Sequence, residues 1–183
     1  MYLHEDKEIF KEVIEQMVAD TGRVAVLIEK DYYVTMILRL LAQKLSNVVF
    51  KGGTSLSKGF KVINRFSEDI DITFDEHIGE ARRKKLKNEI LKGISEELRM
   101  PISNWEYTQS DRDYNAYFFT YESVWGREDD RIPSNVKLET ALGSYAFPTE
   151  LVTIGNYIGD YFIKRGRRDL AEQYTIINGR FAL

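Results

Sequence analysis

Two short motifs in the first half of the chain combine residue types suited to phosphate and metal chemistry. The segment Gly52–Ser55 reads GGTS, and paired glycines allow a sharp turn in which backbone N–H groups approach an anion. The segment Asp69–Asp71 reads DID and places two carboxylates two residues apart. Hard oxygen ligands of this kind suit a divalent cation. Together the two motifs predict a site for a magnesium-bound nucleoside triphosphate.

The elements on either side of the motifs are predicted to bring them together. The β-branched run Val48–Phe50 favours a buried strand that ends at the glycine pair. The next residues read as the first turn of a helix, capped by Thr54 or Ser55, and a helix N-terminus attracts anions. Residues 69–74 alternate between polar and apolar, which predicts a strand with both aspartates on one face.

Each motif taken alone has a simpler interpretation, namely a tight turn and the solvated face of an edge strand. Their joint occurrence at this spacing favours the functional interpretation. A P-loop is excluded because the Gly-Lys-Ser/Thr ending is missing. An EF-hand is excluded because Phe74 stands where the calcium loop requires glycine.

The same stretch resembles the signature of AbiEii-type toxins of the nucleotidyltransferase superfamily. The resemblance rests on Lys51–Leu56 (KGGTSL) and Arg65–Asp71 (RFSEDID), and the upstream run Ile28–Val34 (IEKDYYV) is similar to the helix that precedes this signature. The superfamily pattern is a Gly-Ser pair followed by Asp-x-Asp. Here Thr54 separates the glycine from the serine, as is usual in this branch.

The resemblance implies an α+β nucleotidyltransferase fold, with a small mixed β-sheet flanked by helices. At 183 residues the chain is expected to form a single domain, residues 1–183. Proteins of this kind usually continue into a helical half, so a minimal version and a fragment lacking that half both remain open. Elsewhere we expect helices over residues 6–20 and 24–44, with Glu29–Asp31 as a solvated face or partly at the active-site rim. We also expect a helix over residues 79–99, strands over 102–109 and 115–123, and a helix over 147–164.

Composition excludes several classes of protein and site. The chain has no cysteine, which excludes disulfides, zinc–thiolate sites and thiol catalysis. The chain has only two histidines, which argues against a serine-type catalytic triad because such a triad needs a histidine base. No apolar run approaches the length of a membrane span and no signal peptide opens the chain, so we expect a cytoplasmic protein without membrane contact.

The superfamily resemblance implies a third metal-binding carboxylate on a strand downstream of Asp-x-Asp. Glu139 is the leading candidate, in a predicted strand over residues 135–142 where it shares a face with Lys137. A surface Lys–Glu ladder is the simpler alternative, and Glu122 is the reserve candidate. The catalytic and metal-binding set is therefore expected to be Asp69, Asp71 and Glu139, and the nucleotide-binding set Gly52, Gly53, Thr54, Ser55 and Lys58.

The predicted reaction is transfer of a nucleotide from an NTP, with one or two Mg²⁺ ions as cofactor and release of pyrophosphate. The resemblance implies the toxin half of a toxin–antitoxin pair linked to abortive infection, with a protein antitoxin as partner. RNA or tRNA is the expected acceptor. Because the net charge is −3, RNA contact would require local basic clusters, at Arg82–Lys87 or Lys164–Arg168. A non-catalytic nucleotide-binding domain and a metal-dependent phosphodiesterase are the alternatives.

Overall fold

The computed structural model describes residues 2–63, 67, 69–125, 132–145 and 148–182. Its strands are β1 (Val48–Lys51), β2 (Asp69–Phe74), β3 (Tyr114–Thr120), β4 (Asn135–Tyr145), β5 (Thr149–Ile154) and β6 (Ile176–Ala182). Its α-helices are α1 (Lys7–Thr21), α2 (Ala25–Lys44), α3 (Gly52–Thr54), α4 (Glu80–Lys85), α5 (Lys92–Glu97), α6 (Tyr157–Lys164) and α7 (Arg168–Ala171). Two π-helical segments, Ser55–Gly59 and Leu86–Leu91, continue α3 and join α4 to α5.

The six strands form one mixed sheet in the order β3-β4-β2-β1-β6-β5. β2 lies between β1, with which it pairs antiparallel, and β4, with which it pairs parallel. β6, the last strand in the chain, pairs parallel with β1. The expected small mixed sheet flanked by helices is confirmed, and its centre is the strand that carries the two aspartates.

The two N-terminal helices are confirmed close to their predicted bounds. The Asp6 side chain caps α1 by accepting a hydrogen bond from the N–H of Ile9, and Gly22 ends it with a positive φ of 67°. These are the sequence signals that start and stop a helix. The long helix over residues 79–99 is confirmed as the nearly continuous run α4, π segment and α5.

The interpretation of Glu29–Asp31 as a solvated face is wrong. All three side chains are buried, with exposed fractions of 1%, 2% and 2%. α2 contributes buried residues on every side because it packs against α1, β6 and α6. A helix surrounded in this way has no solvent face, so its charged residues must be paired inside the protein.

Two other expectations are corrected by sheet pairing. Residues 102–109 form a short 3₁₀ turn, Trp105–Tyr107, and contribute only the bridge between Ile102 and Phe119 in the described part of the chain. The helix expected over residues 147–164 begins only at Tyr157, because residues 149–154 pair with β6 as β5. The β-branched content of that segment suits a strand once a partner strand is available. Phe147, where that helix was expected to open, lies outside the described residues.

Candidate active site

The two motifs meet at one corner of the sheet, as the sequence predicts. β1 pairs with β2 so that Lys51 lies opposite Asp71, and the chain turns at Gly52 immediately afterwards. Gly52 has a positive φ of 67°, and a Cβ atom at this position would overlap the Asp71 carboxylate. Glycine is therefore required here both by conformation and by the close approach of Asp71.

The third predicted carboxylate joins the pair through strand register. β2 pairs with β4 so that Asp71 lies opposite Glu139 and Asp69 lies opposite Lys137. Asp71 and Glu139 are therefore cross-strand neighbours, close enough for each carboxyl group to influence the ionisation of the other. The sequence predicted these residues on two strands, and the structure places them side by side.

Charge crowding separates the pKa values of the two carboxyl groups. Partial burial, together with the hydrogen bond and negative charge of Glu139, raises the pKa of Asp71 to about 6. Burial opposes the ionisation of Glu139, but bonds from Lys137, Tyr114 and Asp71 outweigh it and lower its pKa to about 2. The pair therefore holds one proton on Asp71 and one negative charge on Glu139 at mildly acidic pH.

One ammonium group and one phenolic hydroxyl also contact the carboxylate cluster. The Lys137 ammonium forms an ion pair with Glu139 and lies 4.0 Å from a carboxylate oxygen of Asp69. The Tyr114 hydroxyl donates a hydrogen bond to Glu139 from the neighbouring strand β3. The sequence analysis did not identify Tyr114, since only the pairing of β3 with β4 shows that it reaches Glu139.

In the described part of the chain, no three histidine or acidic side chains are arranged to hold a metal ion together. Asp71 and Glu139 lie in contact, whereas Asp69 is near Lys137. The donor types nevertheless suit a hard cation, since carboxylate oxygens are the ligands that Mg²⁺ prefers. The Lys137 ammonium, which pairs with Glu139 and lies near Asp69, shows that this corner of the sheet already holds a positive charge. The assignment of Asp69, Asp71 and Glu139 to a metal stays a prediction.

The predicted nucleotide-binding residues divide into two groups. Gly53 and Thr54 occupy the first turn after β1, where backbone N–H groups lack partners inside the helix. Ser55 is buried and its hydroxyl donates to the carbonyl of Ala182 in β6 at 2.6 Å. The Lys58 ammonium forms an ion pair with Asp31 and hydrogen bonds to Thr35 and the carbonyl of Gly155.

Some predicted residues lie elsewhere or outside the described structure. Glu122, the reserve carboxylate, is 81% exposed and pairs with Lys7 at 2.6 Å, so the structure does not bring it to the carboxylate cluster. Within the signature segment, Arg65, Phe66 and Glu68 lie outside the described residues. Ser67 is described, and its hydroxyl lies 3.1 Å from that of Thr54, which also donates to the carbonyl of Asp69.

A family model described as "Nucleotidyl transferase AbiEii toxin, Type IV TA system" matches residues 37–173, well over half of the 183 residues. The chain therefore belongs to the AbiEii family of nucleotidyltransferase toxins. Its structure, one six-stranded mixed sheet with flanking helices, is of the α+β class.

Among solved structures, the chain is similar to MenT4, a nucleotidyltransferase toxin from Mycobacterium tuberculosis H37Rv. The TM-score is 0.43 and the sequence identity 21%, over 77% of this chain and 46% of MenT4. The chain thus matches less than half of the length of that toxin. No curated protein matches it. No helix in the described ranges is long and apolar enough to cross a membrane.

Proposed function

We propose that this chain is a magnesium-dependent nucleotidyltransferase that moves a nucleotide from an NTP to a hydroxyl group of an acceptor, RNA being favoured, and releases pyrophosphate. The observation that carries the proposal is the contact between the Gly52 turn and Asp71, beside Glu139. The first helical turn after β1 and the paired carboxylates share one corner of the sheet. That juxtaposition suits in-line phosphoryl chemistry, in which positioning and charge stabilisation do most of the work.

The glycine turn is the proposed triphosphate cradle. The N–H groups of Gly53 and Thr54 begin a helical turn, and such groups attract phosphate oxygens. Thr54 also fixes the turn to β2, since its hydroxyl donates to the carbonyl of Asp69. Ser55 and Lys58 remain proposed phosphate contacts, although each would first have to leave the bonds it makes to Ala182 and to Asp31.

Asp69, Asp71 and Glu139 are proposed to hold one or two Mg²⁺ ions, which would neutralise phosphate charge and activate the acceptor hydroxyl. The residues around them have a supporting role. Lys137 and Tyr114 both bond to Glu139 and fix its carboxylate toward Asp71. Lys137 also supplies a positive charge next to Asp69, at the place where phosphate oxygens would gather.

The family description supports a toxin of a type IV toxin–antitoxin system with a protein antitoxin as partner and a role in abortive infection. Its place of action would be the cytoplasm, where NTPs and RNA occur. RNA contacts would depend on the cations that lack carboxylate partners. Arg82, Arg83 and Lys84 each pair with a carboxylate. Arg165 and Arg167 also pair with carboxylates, and Lys87 is engaged by the Thr108 carbonyl and the Trp105 ring. Among the described residues of the two basic clusters, the proposed RNA contacts are therefore Lys85, Lys164 and Arg168.

The proposal is tested by incubating the protein with each α-labelled NTP, Mg²⁺ and total RNA. Transfer of label to RNA with release of pyrophosphate is the expected result, and it should be lost in Asp71→Asn. Retention of NTP without transfer would show a non-catalytic nucleotide-binding domain. Hydrolysis of RNA or NTP without transfer would show a phosphodiesterase. Either of these two outcomes overturns the proposal.

A further inference from the structure

One face of the sheet is open beside the carboxylate cluster. Successive side chains of a strand point to opposite faces, and in β3 and β4 one set is buried against residues of α2 and α5, as Tyr117 and Leu138 show. The other set is partly or fully exposed. We call this side the open face, and within these two strands its side chains include Tyr114, Ala116, Phe118, Lys137 and Glu139.

Tyr114 presents its ring to solvent while its hydroxyl is held in the cluster. The residue is 55% exposed, and its hydroxyl donates a hydrogen bond to Glu139. This bond fixes one end of the ring against a carboxylate, so the ring keeps its position on the open face. A group that stacks on the Tyr114 ring would therefore lie next to Glu139 and its cross-strand neighbour Asp71.

A second aromatic ring lies on the open face farther along the same strand. Phe118 follows Tyr114 by four residues, which places it about 13 Å away at the strand rise of ~3.3 Å per residue. Ala116 stands between them on this face and is too small to cover either ring. Asn104 holds the strand, since its side chain accepts from the N–H of Phe118 and donates to the carbonyl of Ala116.

Aromatic rings along an exposed strand are suited to the bases of single-stranded RNA. Every base has a flat face, so bases stack on such rings whatever their identity. A sheet face that carries aromatic side chains is one of the recurring ways in which proteins bind RNA. The bases of a duplex are already stacked on one another, so only unpaired nucleotides can use the two rings.

The charges on the open face give the bound strand a direction. Phe118 lies opposite Lys137, whereas Ala116, on the way to Tyr114, lies opposite Glu139. Carboxylates repel the phosphate groups of RNA, and an ammonium group attracts them. The interior of a strand, with a phosphate on both sides of each nucleotide, is therefore disfavoured at Tyr114. A terminal nucleotide suits that position because one of its sides carries a hydroxyl and no phosphate.

We propose that the open face binds the unpaired end of an RNA strand, with the terminal base on the Tyr114 ring and a preceding base on the Phe118 ring. Tyr114 is thereby a positioning residue that brings the terminal hydroxyl to the carboxylate cluster. The use of that hydroxyl as acceptor rests on the proposed nucleotidyltransferase function. The stacking itself requires neither an NTP nor transfer, so it can be measured separately.

Fluorescence anisotropy tests this with a short RNA of mixed sequence that carries fluorescein at its 5′ end. The RNA is titrated as a single strand and as a blunt duplex, in the presence of Mg²⁺ and without NTP. Tyr114→Leu and Phe118→Leu should each weaken binding of the single strand by about fivefold to 100-fold, as expected for the loss of one stacked base. Neither substitution should weaken binding of the duplex.

Two control variants separate the rings from other effects. Tyr114→Phe removes the hydroxyl that bonds to Glu139 but keeps the ring, so it should bind the single strand like wild type. Tyr107→Leu removes a tyrosine that is 81% exposed, on a turn whose Trp105 ring contacts Lys87 of the helical segments. It should also bind like wild type. Thermal melting confirms that each variant is folded.

The proposal is overturned if the wild-type protein does not bind the single strand, or if both leucine variants on β3 bind it like wild type. A loss of duplex binding as large as the loss of single-strand binding would also overturn it. So would an equal loss in Tyr114→Phe and Tyr114→Leu, because the bond to Glu139 and not the ring would then be responsible.

These outcomes are distinguishable from failure of the transfer reaction. A protein that binds RNA through both rings but transfers no label would contradict only the proposed enzymatic function. A protein that transfers label to RNA at the wild-type rate in Tyr114→Leu and in Phe118→Leu would contradict only the binding of RNA at the open face.

Discussion

Two groups of charged side chains in this molecule resemble each other in sequence but differ in their surroundings. On α2, Glu29 and Asp31 are buried and each is fully engaged. Glu29 accepts from the Ser123 hydroxyl and the Val124 N–H, and Asp31 pairs with Lys58. On the sheet, Asp71 and Glu139 are cross-strand neighbours, and partial burial together with the negative charge of Glu139 raises the pKa of Asp71.

The comparison separates carboxylates that are bonded within the fold from carboxylates that are proposed to bind a ligand. The α2 carboxylates have donors from the surrounding elements, so they hold the fold together. Burial still raises the pKa of Glu29, and the bonds from Ser123 and Val124 only partly oppose that. The sheet carboxylates repel each other and are only partly buried. Such mutual repulsion is typical of sites that bind or transform a ligand.

The largest effect is expected from breaking the α2 ion pair. Asp31→Ala leaves the Lys58 ammonium, which is 11% exposed, and the Tyr157 N–H without their partner. Removing one member of a buried pair should lower the free energy of unfolding by about 3–5 kcal/mol. Urea unfolding measures this, with Asp31→Asn as the variant that keeps the shape and one acceptor. A loss as small as that of an exposed pair would show that Lys58 reaches solvent.

A smaller loss is expected at the turn after β1. Ser55→Ala removes the hydrogen bond to the Ala182 carbonyl, which ties the turn to β6. Leaving that acceptor unpaired should cost about 1–3 kcal/mol of unfolding free energy. The control is Ser57→Ala in the segment that continues this turn. Its hydroxyl has no hydrogen-bond partner among the described residues, so its loss should leave stability unchanged. Equal effects of the two substitutions in urea unfolding would contradict a structural role of Ser55.

Substitution of Asp71 in the sheet should raise the free energy of unfolding, whereas the two substitutions above should lower it. Asp71→Asn removes a charge that Glu139 repels, so it should stabilise the protein at neutral pH by about 1 kcal/mol after solvent screening. The pKa of Asp71 is raised from 3.8 to about 6, so the folded state holds the proton more tightly than the unfolded state. Wild-type stability relative to Asp71→Asn should therefore fall as pH rises from about 3.8 through about 6.

Thermal or urea unfolding of both proteins across this pH range checks the prediction. Glu139→Gln is the informative companion, because the pKa of Glu139 is lowered to about 2 and its ionised form is stabilised by Lys137 and Tyr114. That substitution should destabilise the protein at neutral pH. A pH-independent difference between wild type and Asp71→Asn would mean that folding does not raise the pKa of Asp71.

The smallest effect is expected at Glu122. Its ion pair with Lys7 joins side chains that are 81% and 57% exposed. Exposed pairs contribute little, so Glu122→Ala should change the unfolding free energy by about 0.5 kcal/mol or less. It should also leave nucleotide transfer unchanged, since Glu122 lies apart from the cluster. A loss of nucleotide transfer in this variant would show that Glu122 takes part in catalysis.

The sequence by itself determined the elements that carry the carboxylate cluster. Val48–Phe50, the glycine pair and the alternating strand Asp69–Phe74 are local patterns, and local backbone preferences produce them wherever they occur. The side-chain period of a strand also placed Lys137 and Glu139 on one face of β4. Local patterns could therefore predict the two aspartates, and the resemblance to AbiEii-type toxins added a downstream glutamate, for which the strand pattern offered Glu139.

Only the tertiary structure decided what surrounds these residues. Strand register put Glu139 beside Asp71 and brought Tyr114 to it, and register depends on pairing between distant segments. The burial of Glu29–Asp31 depends on α1, β6 and α6, which cover every side of α2. The pairing of β5 with β6 overrode the helix expected over residues 147–164. Charged residues look solvated in a sequence because nothing local shows the partners that folding will supply.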